Sequence, residues 1–113
     1  MSTIGEALKD ATRAVERKVC GDLMNGHVIV VGRWLDVRSN QIFFQTFERG
    51  DESFIPIFSD ETHFRDEVKG SGFEDAGISI DCQLFVSLLR GDERLILNPG
   101  SDHPMRLMKA DFE

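Results

Sequence analysis

The sequence predicts an α+β fold, a mixed β-sheet packed with about three helices, in the order α-β-β-β-α-β-α-β-β. Three observations predict it. Apolar residues recur at helical spacing over residues 3–25, three β-branched and aromatic runs follow with no helical period between them, and residues 77–98 read as strand, helix, strand. Strict α/β alternation is the alternative, disfavoured because no helix separates the first three strands.

In the first element, Ile4, Leu8, Ala11, Val15, Val19 and Leu23 step by three and four, which places them on one helical face. Thr3 and Glu6 have capping-box spacing, and the helix is expected to end near Asn25 and Gly26. Three strand-like runs follow: His27–Trp34 is rich in β-branched residues, Gln41–Phe47 in Phe and Thr, and Ser53–Phe58 alternates around Pro56. Pro56 cannot donate a ladder hydrogen bond, so its strand should lie at an edge or turn that position away from its neighbour. Glu48–Glu52 suits a hairpin, and the Arg49-Gly50-Asp51 tripeptide within it, known as a cell-adhesion pattern, reads as a turn because no export signal precedes it.

Residues 59–68 read as a short helix capped by Ser59 or Asp60 and anchored by Phe64 and Val68, and Lys69–Gly72 breaks it. Residues 77–80 form a small strand, Asp81 caps a helix with Leu84, Phe85, Leu88 and Leu89 on its core side, and Gly91 suits its C-terminus. Residues 94–98 return as a strand, expected to run parallel to the strand at Ile78–Ile80 through a right-handed crossover. Asn98–Ser101 turns the chain, and Met105–Lys109 is the last strand.

Composition narrows the function. At 113 residues the chain has room for one core, and 41% hydrophobic with 29% charged residues excludes wholesale disorder. The net charge of −7, with scattered Lys and Arg, argues against nucleic acid as a ligand. That charge is uneven: residues 1–33 hold five basic and four acidic side chains, residues 34–113 eight and sixteen. The acidic remainder is either a solvated face or a surface for a basic partner. The longest apolar run, Val28–Val31, is too short to span a membrane, and the N-terminus lacks a secretory signal. A cytoplasmic location and two free thiols are therefore expected.

Catalytic patterns are hard to find. Cys20 and Cys82 lack a signature of a nucleophile, although Cys82 just after the Asp81 cap could feel a helix dipole, the alternative being a small buried residue. His27, His63 and His103 have no metal-ligand spacing, so neither metal nor cofactor is expected. Adjacent acids such as Asp60 and Glu61 diverge and cannot be assumed to flank one bond. Lys69–Gly72 lacks the ending of a phosphate loop. Nine Phe, one Trp and no Tyr suggest aromatics that serve the interior, with Trp34 the best candidate for an exposed contact and packing the alternative.

Three segments in order, Val28–Gly32, Ser53–Asp60 leading into a helix with Phe64, and Leu95–Gly100, resemble the N-terminal domain of the SseB family, the enhanced-serine-sensitivity proteins. That family pairs an apolar stretch ending in Phe-Ser/Thr-Asp with a later Leu-x-Leu-Asn-Pro-Gly strand and turn. The resemblance implies a bacterial, cytoplasmic protein with no established catalytic activity. It places Phe58, Ser59, Asp60, Asn98, Pro99 and Gly100 on the family pattern, none with an assigned catalytic role. Larger members continue into a second domain, whereas this chain stops at Glu113, so a single domain over residues 1–113 is expected.

The expected function is a non-enzymatic protein-interaction or regulatory module, binding a basic partner or a second copy through a strand edge. The alternative is a small-molecule-binding or enzyme-accessory domain with a cleft near Asp60 and Asn98. Phe58, Asp60, Asn98, Pro99 and Gly100 are the candidate binding residues, with Asn98–Ser101 equally readable as a plain strand terminator.

Overall fold

Val28, Val30 and Val31 are each no more than 1% exposed, so residues 28–31 of β1 (His27–Asp36) are buried on both faces and organise the sheet. The computed structural model describes the backbone over residues 4–113 and side chains over residues 13–113. The expected Thr3/Glu6 capping box and the side chains of Ile4, Leu8 and Ala11 lie outside the described residues. Helix α1 (Ile4–Met24) precedes β1, and β2 (Gln41–Phe44), β3 (Phe47–Arg49) and β4 (Glu52–Phe58) follow it. Next come α2 (Glu61–Val68), β5 (Gly77–Asp81), α3 (Cys82–Leu88), β6 (Leu95–Leu97), β7 (Met105–Leu107) and a 3₁₀ turn over Lys109–Phe112. Among the described residues no helix is long and apolar enough to cross a membrane.

Among the described residues seven strands form one mixed sheet in which β2, β1, β4, β6 and β7 are successive neighbours, β5 pairs with β1 and β3 with β4. Among the described residues only β4 and β6 pair in parallel. Chain direction through these pairings makes β5 and β6 point the same way, as the strand-helix-strand reading expects. They are not neighbours, because β1 and β4 lie between them.

Alternation along the strands separates two cores. Val28 and Val30 join Ile55, Ile57, Phe85, Leu95 and Leu97 beneath α1 and α3. Val31 joins Phe58, Phe64 and Val68 beneath α2. The result is an α+β sandwich with helices on both faces of the sheet.

The run at residues 41–47 divides at Gln45 and Thr46, giving two strands where one is expected from sequence. Pro56 supplies the reason. Ile55 N–H donates to Arg94 O at 2.8 Å and Asn98 N–H donates to Ile57 O at 2.7 Å, so Pro56 between them faces away from β6. On its other side, extending the Ile29↔Phe58 and Val30↔Ile57 register puts Val31 opposite Pro56, which has no N–H to offer. Val31 O accepts from Gln45 N–H instead, at 2.8 Å. The proline thus sits inside the sheet at the point where β4 changes partner from β3 to β1. The Arg49-Gly50-Asp51 tripeptide forms the β3–β4 turn, with Gly50 at φ 63° and Arg49 paired to Glu67 at 2.8 Å.

Gly91, at φ 127°, lies beyond the end of α3 and does not cap it; the cap residue is Leu89. Gly21 stays within α1, and a Cβ there would meet nothing within 4 Å. Gly21→Ala is therefore expected to stabilise the fold by up to about 1 kcal/mol, read as a higher urea midpoint at unchanged m-value.

Candidate functional site

Because β4 and β6 run side by side in parallel, the residues leaving their carboxyl ends, Ser59 and Asn98, emerge together. Asn98 Oδ1 accepts from Ser59 N–H and Asn98 Nδ2 donates to Ser59 Oγ, both at 3.0 Å. Ser59 Oγ donates to Asp60 Oδ2 at 3.0 Å. Asp60 in turn caps α2, accepting from His63 N–H at 2.8 Å, with His63 Nδ1 at the same distance from the carboxylate. The His63 amide holds the Asp60 carboxyl below its ordinary value against the opposing effect of desolvation, with the His63 side chain and the Ser59 hydroxyl adding smaller downward contributions.

Asn98 adopts φ 50°, a left-handed conformation that Asn tolerates better than other residues with a Cβ. Ser101 N–H donates to Asn98 O at 3.1 Å, and Gly100 at φ 81° supplies the positive φ that a Pro-Gly turn of this kind requires. Asn98→Ala removes both side-chain links to Ser59 and places Ala in the left-handed region. A loss of about 2 kcal/mol is expected by urea unfolding, part of it recovered in Asn98→Gly.

The sequence-predicted site residues divide by environment. Asp60 and Asn98 are linked through Ser59 at the surface; Gly100 is exposed, and its missing Cβ leaves room for the Glu67 carboxylate. Phe58 is fully buried and packs edge-on against Phe64 with ring centroids 5.5 Å apart, and Pro99 is also buried. Those two therefore shape the site from beneath. Chemically, the Ser59 hydroxyl is committed to a carboxylate and an amide, so the chain of bonds fastens α2 to the end of β6. Beside it, Ser59 and Asn98 line a groove of about 520 Å³ with Val19, Leu23, His27 and His103; Asp60 is not one of its walls.

Cys82 lies at the start of α3, but it is 0% exposed, and burial pushes its thiol pKa up to about 11, with Asp81 adding to the effect. Cys20 is 2% exposed and is likewise raised to about 11 by burial, helped by Asp111. Desolvation outweighs any pull from the short helix, so of the two readings Cys82 is the small buried residue and not an activated thiol. Iodoacetamide should modify both thiols at pH 8 at least about 100-fold more slowly than a free thiol, with full labelling after denaturation. A rate near that of free cysteine would contradict this burial.

The β1–β2 hairpin presents a second surface. Trp34 pairs with Ile42 and packs against the core under α1 and α3. Its neighbours are outside: Leu35, Val37 and Phe43 are 58%, 68% and 47% exposed. Arg33 pairs across the strands with Phe43 and holds its guanidinium 5.9 Å from the ring centroid. Phe43 and Arg33 line a groove of about 430 Å³ with Phe73, Asp75 and Ala76. Residue type alone draws attention to Trp34; the signal that finds Phe43 is strand alternation, which sends adjacent residues to opposite faces.

A family model described as the SseB protein N-terminal domain matches residues 4–111. Neither a curated protein nor a solved structure matches the chain.

Proposed function

The chain belongs to the SseB N-terminal-domain family, and from that premise we propose that it acts as a non-enzymatic protein-interaction module whose contact surface is the β1–β2 hairpin. One observation carries this reading: of the five large apolar side chains exposed among the described residues, three, Leu35, Val37 and Phe43, lie on this one hairpin. Arg33 beside Phe43 adds the residue type most often enriched with aromatics at interface centres.

The test is quantitative cross-linking and affinity purification of the full chain from its native host, with wild type compared to a Leu35→Asp, Phe43→Asp variant. A stoichiometric partner, a second copy included, that is lost in the variant is the expected result. Equal recovery with both proteins would refute the hairpin as the contact surface.

A second reading is favoured by the groove beside Ser59 and Asn98, whose mixed walls of His27, His103, Val19 and Leu23 suit a small amphipathic molecule. Amide shifts recorded with a panel of small polar metabolites should then concentrate at His27, Asn98 and His103. A panel that leaves these amides unmoved counts against it.

A further inference from the structure

We propose that the uncovered face of the β1–β2 hairpin receives a second copy of this chain about a two-fold axis. Phe43 of each copy sits in the groove between Phe43 and Phe73 of the other, and Arg33 meets Asp75 of the second copy. The proposal rests on the protein-interaction reading above and names its partner.

The face is left uncovered by the way the sheet is built. Trp34, Ile42 and Phe44 belong to the core under α1 and α3, while Arg33 and Phe43 stand exposed. On the α2 side, the buried cluster formed by Val31, Phe58, Phe64 and Val68 reaches along β1 only as far as Val31. Beyond that point the groove beside Phe43 is open and lined by apolar rings with one basic and one acidic residue, Arg33 and Asp75.

Two features favour a second copy over another occupant. The first is charge complementarity within one groove: an isologous contact places each residue's partner in the other copy, so a two-fold brings Arg33 to Asp75 twice. The second is repulsion. Two chains of net charge −7 repel each other over most of their surface, whereas the contact residues are balanced, Arg33 and Arg38 against Asp36 and Asp75, so this face adds nothing to the repulsion. A basic partner would be drawn instead to the acidic remainder, and an acidic peptide would face the molecule's overall negative field.

The experiment is sedimentation equilibrium on the purified full chain up to about 0.5 mM, a range that detects association near the millimolar limit of about −4 kcal/mol. The mass is expected to rise toward twice 12.8 kDa. Arg33→Glu and Asp75→Lys should each weaken dimerisation about tenfold or more, and the combined swap should restore it. Phe43→Ser should weaken it as well, with circular dichroism unchanged because the residue is exposed. A monomer at every concentration overturns the proposal, as does a dimer indifferent to Phe43→Ser or to the charge swap. A monomer that still captures a different, hairpin-dependent protein overturns the second copy and leaves the interaction reading standing; a monomer with no hairpin-dependent partner removes both.

Discussion

Truncation of Phe58 to Ala is expected to destabilise the protein by about 3–5 kcal/mol, the range for removing a fully buried aromatic side chain. Phe58 has no exposed surface and forms the centre of the smaller core with Val31, Phe64 and Val68. Its loss takes away the edge-on contact with Phe64, through which α2 is held on the sheet. The effect should therefore spread to Asp60 and Ser59, because the α2 cap and its link to Asn98 depend on where that helix sits. Urea unfolding monitored by circular dichroism measures the loss. Phe58→Leu should cost much less, since it keeps most of the apolar volume. A Phe58→Ala variant within about 1 kcal/mol of wild type would show that the ring is not a core residue, contrary to its burial.

Gly32→Ala should cost about 3 kcal/mol or more, although it adds a single methyl group. A Cβ at this position would lie 1.9 Å from the Phe43 carbonyl oxygen and 3.1 Å from its carbon. Those atoms are backbone and cannot rotate away, so β1 and β2 must part where Gly32 faces Phe44 and Arg33 faces Phe43. Phe44 stacks edge-on against Phe85 at 5.3 Å, so separation also disturbs the larger core. Amide hydrogen exchange should accelerate at Phe43, Phe44 and Gln45 before it changes in β5 or β6. Protection unchanged at those amides would mean that the hairpin tolerates the methyl group.

The two substitutions differ in how far a sequence reader could foresee them. Phe58 attracts attention as part of a family pattern next to Ser59 and Asp60, and that pattern gives no hint that its ring points inward while Asp60 stays at the surface. Gly32 ends the Val28–Gly32 segment of the family pattern, and nothing in that segment says what lies opposite it. Its importance arises from the partner strand, since a pairing register decides which atom lies opposite a missing Cβ.

Local rules explain why most elements were legible. Helical spacing, β-branched runs, the Asp60 and Asp81 caps and the Asn98–Ser101 turn depend on residues a few positions apart, and these elements form. The run at 41–47 is nevertheless split in two, and Val15, on the expected apolar stripe of α1, is exposed while Cys20 is buried. The candidate site was legible in part: the Ser59-Asp60 and Asn98-Pro99-Gly100 segments stand out by pattern, and they meet. The groove beside them draws on α1, His27 and His103 as well, which no short-range pattern connects.

By itself, then, the sequence determined the α+β class, the family, the acidity and the identity of the turns, because these follow from composition and from contacts close along the chain. Only the tertiary structure decided that β4 changes partner at Pro56, that both thiols are buried, and that Phe43 and Leu35, not Trp34, face water. Each of those outcomes is set by pairing between distant segments. Hydrogen-bond register and burial are properties of the assembled sheet, and they select among side chains that the sequence alone leaves equivalent.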